Sequence, residues 1–342
     1  MRILITRTDA IGDVVLTLPV CGIIKKAIPG AHISILARPY TRAVIEVSDS
    51  IDAFVDYTQL MSLPEDQQLA LLKKYNFDAI IHLVTLKHIS QLAQEAGIGI
   101  RIGTVSRPYH WHTCNELIWL RRKASDLHEA QLHCKLIRPL TKIRIPDKLW
   151  EYYQFRHFET LPAPLQQALD TDKFRFIIHP KSNKNALEWD LAYFSALIRL
   201  LDPERFQIYI TGSEAESIEL QPWMKTLPEH VVDLTGRLTL SQLISFINEA
   251  DGLLAASTGP LHLAAACGIH TLGLYPNQRP KHAGRWGPIG PLAEYIQTKT
   301  DTLDSISPEM VFKHITLWKK RTVNSGAGPD SREQGSQRNI RE

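Results

Sequence analysis

The chain is predicted to be an α/β protein made of two doubly wound, Rossmann-like parallel-sheet domains in succession. Three observations carry this reading. The length is 342 residues; short β-branched apolar runs alternate with helical stretches from the first residue; and that alternation loosens once, near the middle. At roughly 100–200 residues per domain, the length suits two domains. With 44% hydrophobic and 22% charged residues, either half can fill a core.

The first series of apolar runs covers residues 3–6, 33–37, 53–57, 79–84 and 100–105. Such runs between helical stretches are the pattern of βαβ units whose parallel strands are covered on both faces. A helix is expected over 65–75, with Pro64 before it and Asn76 after it. From 141 to 173 the period is lost around Pro146, Pro162 and Pro164, as in a domain connection. A second series follows at 174–179, 206–211, 231–234, 252–256 and 271–275, with helices near 191–201, 213–226 and 241–250. The predicted domains are therefore 1–160 and 161–305, and ligands are expected beyond the carboxyl ends of the strands, in the cleft between them. The stretch 323–342 is rich in Ser, Gly, Arg, Gln and Asn and is expected to be disordered.

Composition narrows the function. No uncharged apolar stretch reaches the roughly 18 residues of a membrane span, and the opening lacks a signal-peptide pattern, so a cytoplasmic protein is expected. The four cysteines, Cys21, Cys114, Cys134 and Cys267, have no metal-ligand spacing and are expected to be buried thiols, with no metal site. A net charge of +3 is too small to imply nucleic acid. One stretch is locally basic: Arg101, Arg107, Arg121, Arg122 and Lys123 stand against Glu116 alone, interleaved with Tyr109, His110, Trp111, His112 and Trp119. Such a surface suits an anionic glycan or a membrane interface, and inward packing of the tryptophans fits the pattern equally well.

Three loops offer chemistry. RTDAIGDVVLTLP, residues 7–19, follows the first strand. It holds only Gly12 where a dinucleotide fingerprint needs several glycines, which disfavours a nicotinamide oxidoreductase. Its carboxylates Asp9 and Asp13 lie at a strand terminus, although Asp13 also stands where a helix N-cap is expected. ASTGPLHLAAACG, residues 256–268, reads as a strand-to-helix turn in which Ser257, Thr258 and Gly259 open a helix suited to a diphosphate, with His262 one turn in. HPKSNKNALEW, residues 179–189, follows the first strand of the second domain and offers Lys181, Ser182 and Lys184. QRPKHAGRWGPIG, residues 278–290, fits a lid or a connector.

RTDAIGDVVLTLP, ASTGPLHLAAACG and RWGPIGP together resemble the glycosyltransferase family that contains the lipopolysaccharide heptosyltransferases, over residues 1–320. The resemblance implies a GT-B fold, metal-independent inverting transfer without a cofactor, and a nucleotide-sugar donor of the ADP-heptose type. It implies an anionic glycolipid acceptor of the lipopolysaccharide core, with peripheral contact at the inner membrane. Asp13 becomes the expected general base, and Ser257, Thr258, Gly259 and His262 the donor diphosphate site, supplemented by Lys181, Ser182 and Lys184. Asp9, Gly12, Arg101, Arg107, Arg121 and Arg122 are the expected acceptor side. A C-terminal helix within 306–322 is expected to return to the first domain. Two positions depart from the family pattern: Ser257, where an acidic residue is common, and Leu187-Glu188, where a Lys-Arg or Lys-His pair precedes the tryptophan. They keep open a different nucleotide sugar, or a binding homologue without catalysis.

Overall fold

The computed structural model describes residues 1–120, 122, 125–169, 171–183 and 186–321. Arg121, Lys184 and the expected tail at 323–342 lie outside these residues. The described residues form two compact units, Met1–Glu159 with Gly284–Trp286, and Thr160–Ala283 with 287–321.

The first unit holds strands β1 (Arg2–Thr6), β2 (His32–Ala37), β3 (Ala53–Asp56), β4 (Ala79–His82), β5 (Ile100–Thr104) and β6 (Glu116–Ile118). They form one sheet in the order β3-β2-β1-β4-β5-β6, with parallel pairing throughout. Ile3, Leu4 and Ile5 in the central β1 are fully buried, as a strand covered on both faces requires. The helix Lys87–Glu95 closes one face by burying Ile89, Leu92 and Ala93, spaced three and four residues apart on one helical stripe. Winding reverses between β1 and β4, so the loop after β1 leaves at the switch point, where such sheets bind ligands.

The second unit repeats the plan with β7 (Phe174–His179), β8 (Phe206–Ile210), β9 (Val232–Asp233), β10 (Gly252–Ala256), β11 (His270–Tyr275) and β12 (Ala293–Gln297), ordered β12-β11-β10-β7-β8-β9. Here the switch point lies between β7 and β10, whose residues His179 and Ala255 are in register. Gly290 ends the 278–290 loop against the helix Gly259–Cys267: a Cβ there would stand 2.3 Å from the Ala265 carbonyl oxygen, so only glycine fits.

The C-terminal helix Pro308–Ile315 belongs to this second unit and not to the first, where it was expected. Its buried Val311 and Ile315, with Trp318 beyond, join the core that includes Phe194, Leu197 and Ile198 of the helix Leu191–Leu200. The apolar stripe is thus already covered by its own unit. All four cysteines are buried free thiols, and burial pushes those of Cys21 and Cys134 up to about 12.

At the carboxyl end of β4, His82 is fully buried with both ring nitrogens unpartnered among the described residues. Burial, together with the neighbouring His110 and Arg101 charges, lowers its pKa from 6.5 to about 3. The unfolded chain therefore takes up a proton that the folded chain refuses, and stability contributed by neutral His82 falls as pH drops from 6.5 toward 3, by at most about 1.4 kcal/mol per pH unit. His82→Leu is expected to narrow the difference in urea midpoint between pH 7 and pH 5. An unchanged difference would count against this origin of acid sensitivity.

Candidate active site

The first unit builds its site on the loop after β1. The helix Ile11–Val15 is capped at Ala10, without a side-chain cap, and Asp13 falls inside its first turn. The capping role open to Asp13 in the sequence is therefore not the one it takes. Its Oδ1 accepts instead from Arg7 Nη2. Asp13 keeps 22% of its side chain exposed, whereas Arg7 keeps 1%. The carboxylate is thus anchored through one oxygen by a buried cation while its side chain stays partly exposed, which suits a proton acceptor. Arg7 Nη2 also lies 3.6 Å from Asp9 Oδ2. Burial raises the Asp9 carboxyl above its usual value despite the Arg7 charge, and Gly12, in the first turn of that helix, lies between the two carboxylates in sequence.

Behind this loop is a buried ionic cluster that the sequence reading did not anticipate. Glu129 and His133, one turn apart on the helix Glu129–Leu136, are both buried. Glu129 Oε1 is 3.0 Å from Arg122 Nη1 and 3.2 Å from His133 Nε2; its Oε2 is 2.6 Å from Arg285 Nη2. Arg7 Nη1 stands 3.4 Å from the same His133 nitrogen, and Arg285 also donates to the Arg122 carbonyl. Burial works to raise the Glu129 carboxyl, but the His133 hydrogen bond and the flanking arginine charges hold it well below the usual range. Burial lowers His133, outweighing its bond to Glu129. A carboxylate this deep persists because it is paired.

The expected acceptor-side arginines separate. Arg122 joins the cluster, half-buried, and also donates to the Leu83 carbonyl at 2.8 Å. Arg107 is exposed and donates to Thr85 Oγ1 at 3.0 Å. Arg101 is not brought to Asp13. It lies near the amino end of β5, where its guanidinium donates to the Ile98 and Thr113 carbonyls and shapes that turn. Trp111 and Trp119 are 59% and 66% exposed, so the inward-packed reading of these rings does not hold. They line, with Val105, Ser106, Leu117 and Leu120, a cavity of about 520 Å³.

In the second unit, the loops after β7 and β10 emerge side by side. Thr258 is the N-cap residue of the helix Gly259–Cys267, yet its side chain makes no cap bond; its Oγ1 is buried without a partner among the described residues. Ser257 hydrogen-bonds the phenol of Tyr275, which burial pushes above its usual value. His262 is buried one turn into the helix, and Gly268 ends it at φ 72°, a left-handed position that glycine adopts without strain.

Lys181 is engaged more fully than its sequence suggested: Nζ is 2.6 Å from Glu188 Oε2 and 3.0 Å from Glu219 Oε2. Those hydrogen bonds, Glu188 first, raise its pKa. Ser182 donates to Glu188 Oε1 from its backbone nitrogen at 2.9 Å and its hydroxyl at 3.0 Å. Glu188 thus receives the donors of both Lys181 and Ser182. Proximity in the sequence was the available signal for this pairing; for Glu129 and Arg285 there was none beyond their residue types.

The chain is similar to known proteins over most of its length. A Haemophilus influenzae protein is 26% identical over 317 residues, 86% of this chain and 88% of that one. Lipopolysaccharide heptosyltransferase 3 of Escherichia coli is 21% identical over 281 residues, covering 77% of this chain and 80% of that one. Among solved structures, the E. coli heptosyltransferase WaaC with ADP superposes with a TM-score of 0.73 at 18% identity, over 92% of this chain and 99% of that one. The fold is GT-B, and the protein is a glycosyltransferase. It belongs to glycosyltransferase family 9 (heptosyltransferase), whose model matches residues 69–315.

Proposed function

We propose that the protein transfers a heptose from ADP-heptose to a hydroxyl of a lipopolysaccharide-core acceptor, with inversion and without a metal ion. The observation that carries the chemistry is Asp13, anchored through one oxygen by buried Arg7 and with 22% of its side chain exposed. Asp13 takes the hydroxyl proton as the acceptor oxygen attacks the anomeric carbon from the face opposite the diphosphate. The leaving diphosphate is met by the helix N-terminus at Ser257, Thr258 and Gly259, with His262, Lys181 and Ser182 nearby in the same unit. ADP in the solved relative supports an adenine nucleotide, and the heptosyltransferase relative supports heptose and a lipopolysaccharide acceptor.

Asp9, Gly12, Arg107 and Arg122 supply the acceptor side. Exposed Trp111 and Trp119, with Arg107 near them in sequence, supply peripheral contact with an anionic membrane. Among the described residues no helix is long and apolar enough to cross a membrane.

Calorimetric titration with ADP, GDP and UDP, with and without a chelator, tests the donor. ADP is expected to bind most tightly, and chelator to change neither its binding nor subsequent transfer from ADP-heptose. A preference for UDP would remove the ADP-heptose assignment; transfer abolished by chelator would remove metal independence.

A further inference from the structure

The buried cluster behind Asp13 has a continuous order. Arg285 and Arg122 hold Glu129, Glu129 meets His133 at 3.2 Å, His133 meets Arg7 at 3.4 Å, and Arg7 holds Asp13. Nothing in the proposed reaction requires the three inner members to touch substrate: Glu129, His133 and Arg7 are each 1% exposed or less. Their packing has a geometric effect all the same. Arg7 is a long side chain whose free rotation would cost the Asp13 carboxylate its fixed orientation, and the His133–Glu129 pair restricts it from behind. Six ionised groups meet here: three arginines, with Asp9, Asp13 and Glu129. Neutralising Glu129 leaves three guanidiniums beside two carboxylates.

We propose that Glu129, acting through His133 and Arg7, is a positioning residue that fixes the Asp13 carboxylate for proton abstraction. The inference rests on Asp13 being the general base. Arg285, from the loop that the sequence left as lid or connector, has a defined task in this arrangement as one of the two cations that keep Glu129 ionised and in place.

Glu129→Gln preserves shape and removes the charge. Because misplacement by about an ångström can cost up to ~10²-fold in rate, it is expected to lower kcat by about 10-fold while donor KM stays within about 2-fold. The decisive comparison is a cycle with Asp13→Glu, which moves the carboxylate by one methylene. If Glu129 acts through the position of Asp13, the double variant loses little more than Asp13→Glu alone. Losses that multiply, or a Glu129→Gln effect confined to KM, would overturn the proposal. Arg285→Lys disturbs Glu129 from its far side, and the same cycle with Asp13→Glu decides the matter if Glu129→Gln does not fold. Failure of the underlying reading is separable: an Asp13→Asn protein with near wild-type transfer removes the base, whereas an inactive Asp13→Asn protein with multiplicative losses in the cycle removes only the relay.

Discussion

Asp13→Asn is expected to fold, to bind nucleoside diphosphate as the wild type does, and to transfer sugar about 10²- to 10⁴-fold more slowly, the usual contribution of a general base. The asparagine retains a carbonyl oxygen for Arg7, so the anchor seen at Oδ1 survives. What it loses is the lone pair able to accept a proton at neutral pH. The charge left on Arg7 is partly met by Asp9, whose Oδ2 is 3.6 Å away, and the site is not fully desolvated, since Asp13 keeps 22% of its side chain exposed. Collapse of the loop is therefore not expected to confuse the result. The measurement is kcat with donor and acceptor both saturating, beside calorimetric binding of the nucleotide. Transfer within a few-fold of wild type would eliminate Asp13 as the base and return it to a role in holding Arg7.

A second large effect is expected on stability. Trp189→Ala removes the bulkiest fully buried side chain of the second unit, 2% exposed and part of its main core. Its ring packs edge-on against Phe194 at 4.8 Å and tilted against Tyr193 at 5.6 Å, and its Nε1 donates to the Ile306 carbonyl at 2.9 Å. Truncation leaves a cavity and an unsatisfied buried carbonyl together, so a loss of about 3–5 kcal/mol is expected. Trp189→Phe keeps most of the volume and is expected to cost markedly less. Urea denaturation followed by circular dichroism distinguishes the two; a loss under about 1 kcal/mol for the alanine variant would mean the core repacks around the gap.

Strands buried on both faces announced themselves in the sequence, because continuous β-branched runs survive wherever a sheet is covered twice. The strand 174–179 was expected and forms as Phe174–His179; so was 252–256, found as Gly252–Ala256. β6 and β12 were missed for the opposite reason. Each is an edge strand, and Glu116, Leu117, Glu294 and Tyr295 are exposed within them, so the apolar run that marks a central strand is absent. Asp13 shows a different limit. An aspartate before Val14-Val15-Leu16 fits a cap, and only three-dimensional placement reveals that the helix begins earlier, at Ile11. The ionic cluster was beyond reach for a further reason: Arg7, Glu129 and Arg285 are separated by more than a hundred residues at each step, and no local period encodes such a meeting. The loops that carry the candidate site were legible because glycine, proline and hydroxyl residues at strand ends constrain backbone geometry locally.

The hydroxyl of Thr258, without a partner among the described residues, has a thermodynamic consequence. A buried hydroxyl without a hydrogen bond burdens the native state by about 1–3 kcal/mol, and a ligand oxygen that reaches it would relieve that burden on binding. Part of the affinity for an oxygen-rich ligand would then come from a penalty carried by the native fold before binding, and binding would raise the melting temperature through mass action as well as through this local relief.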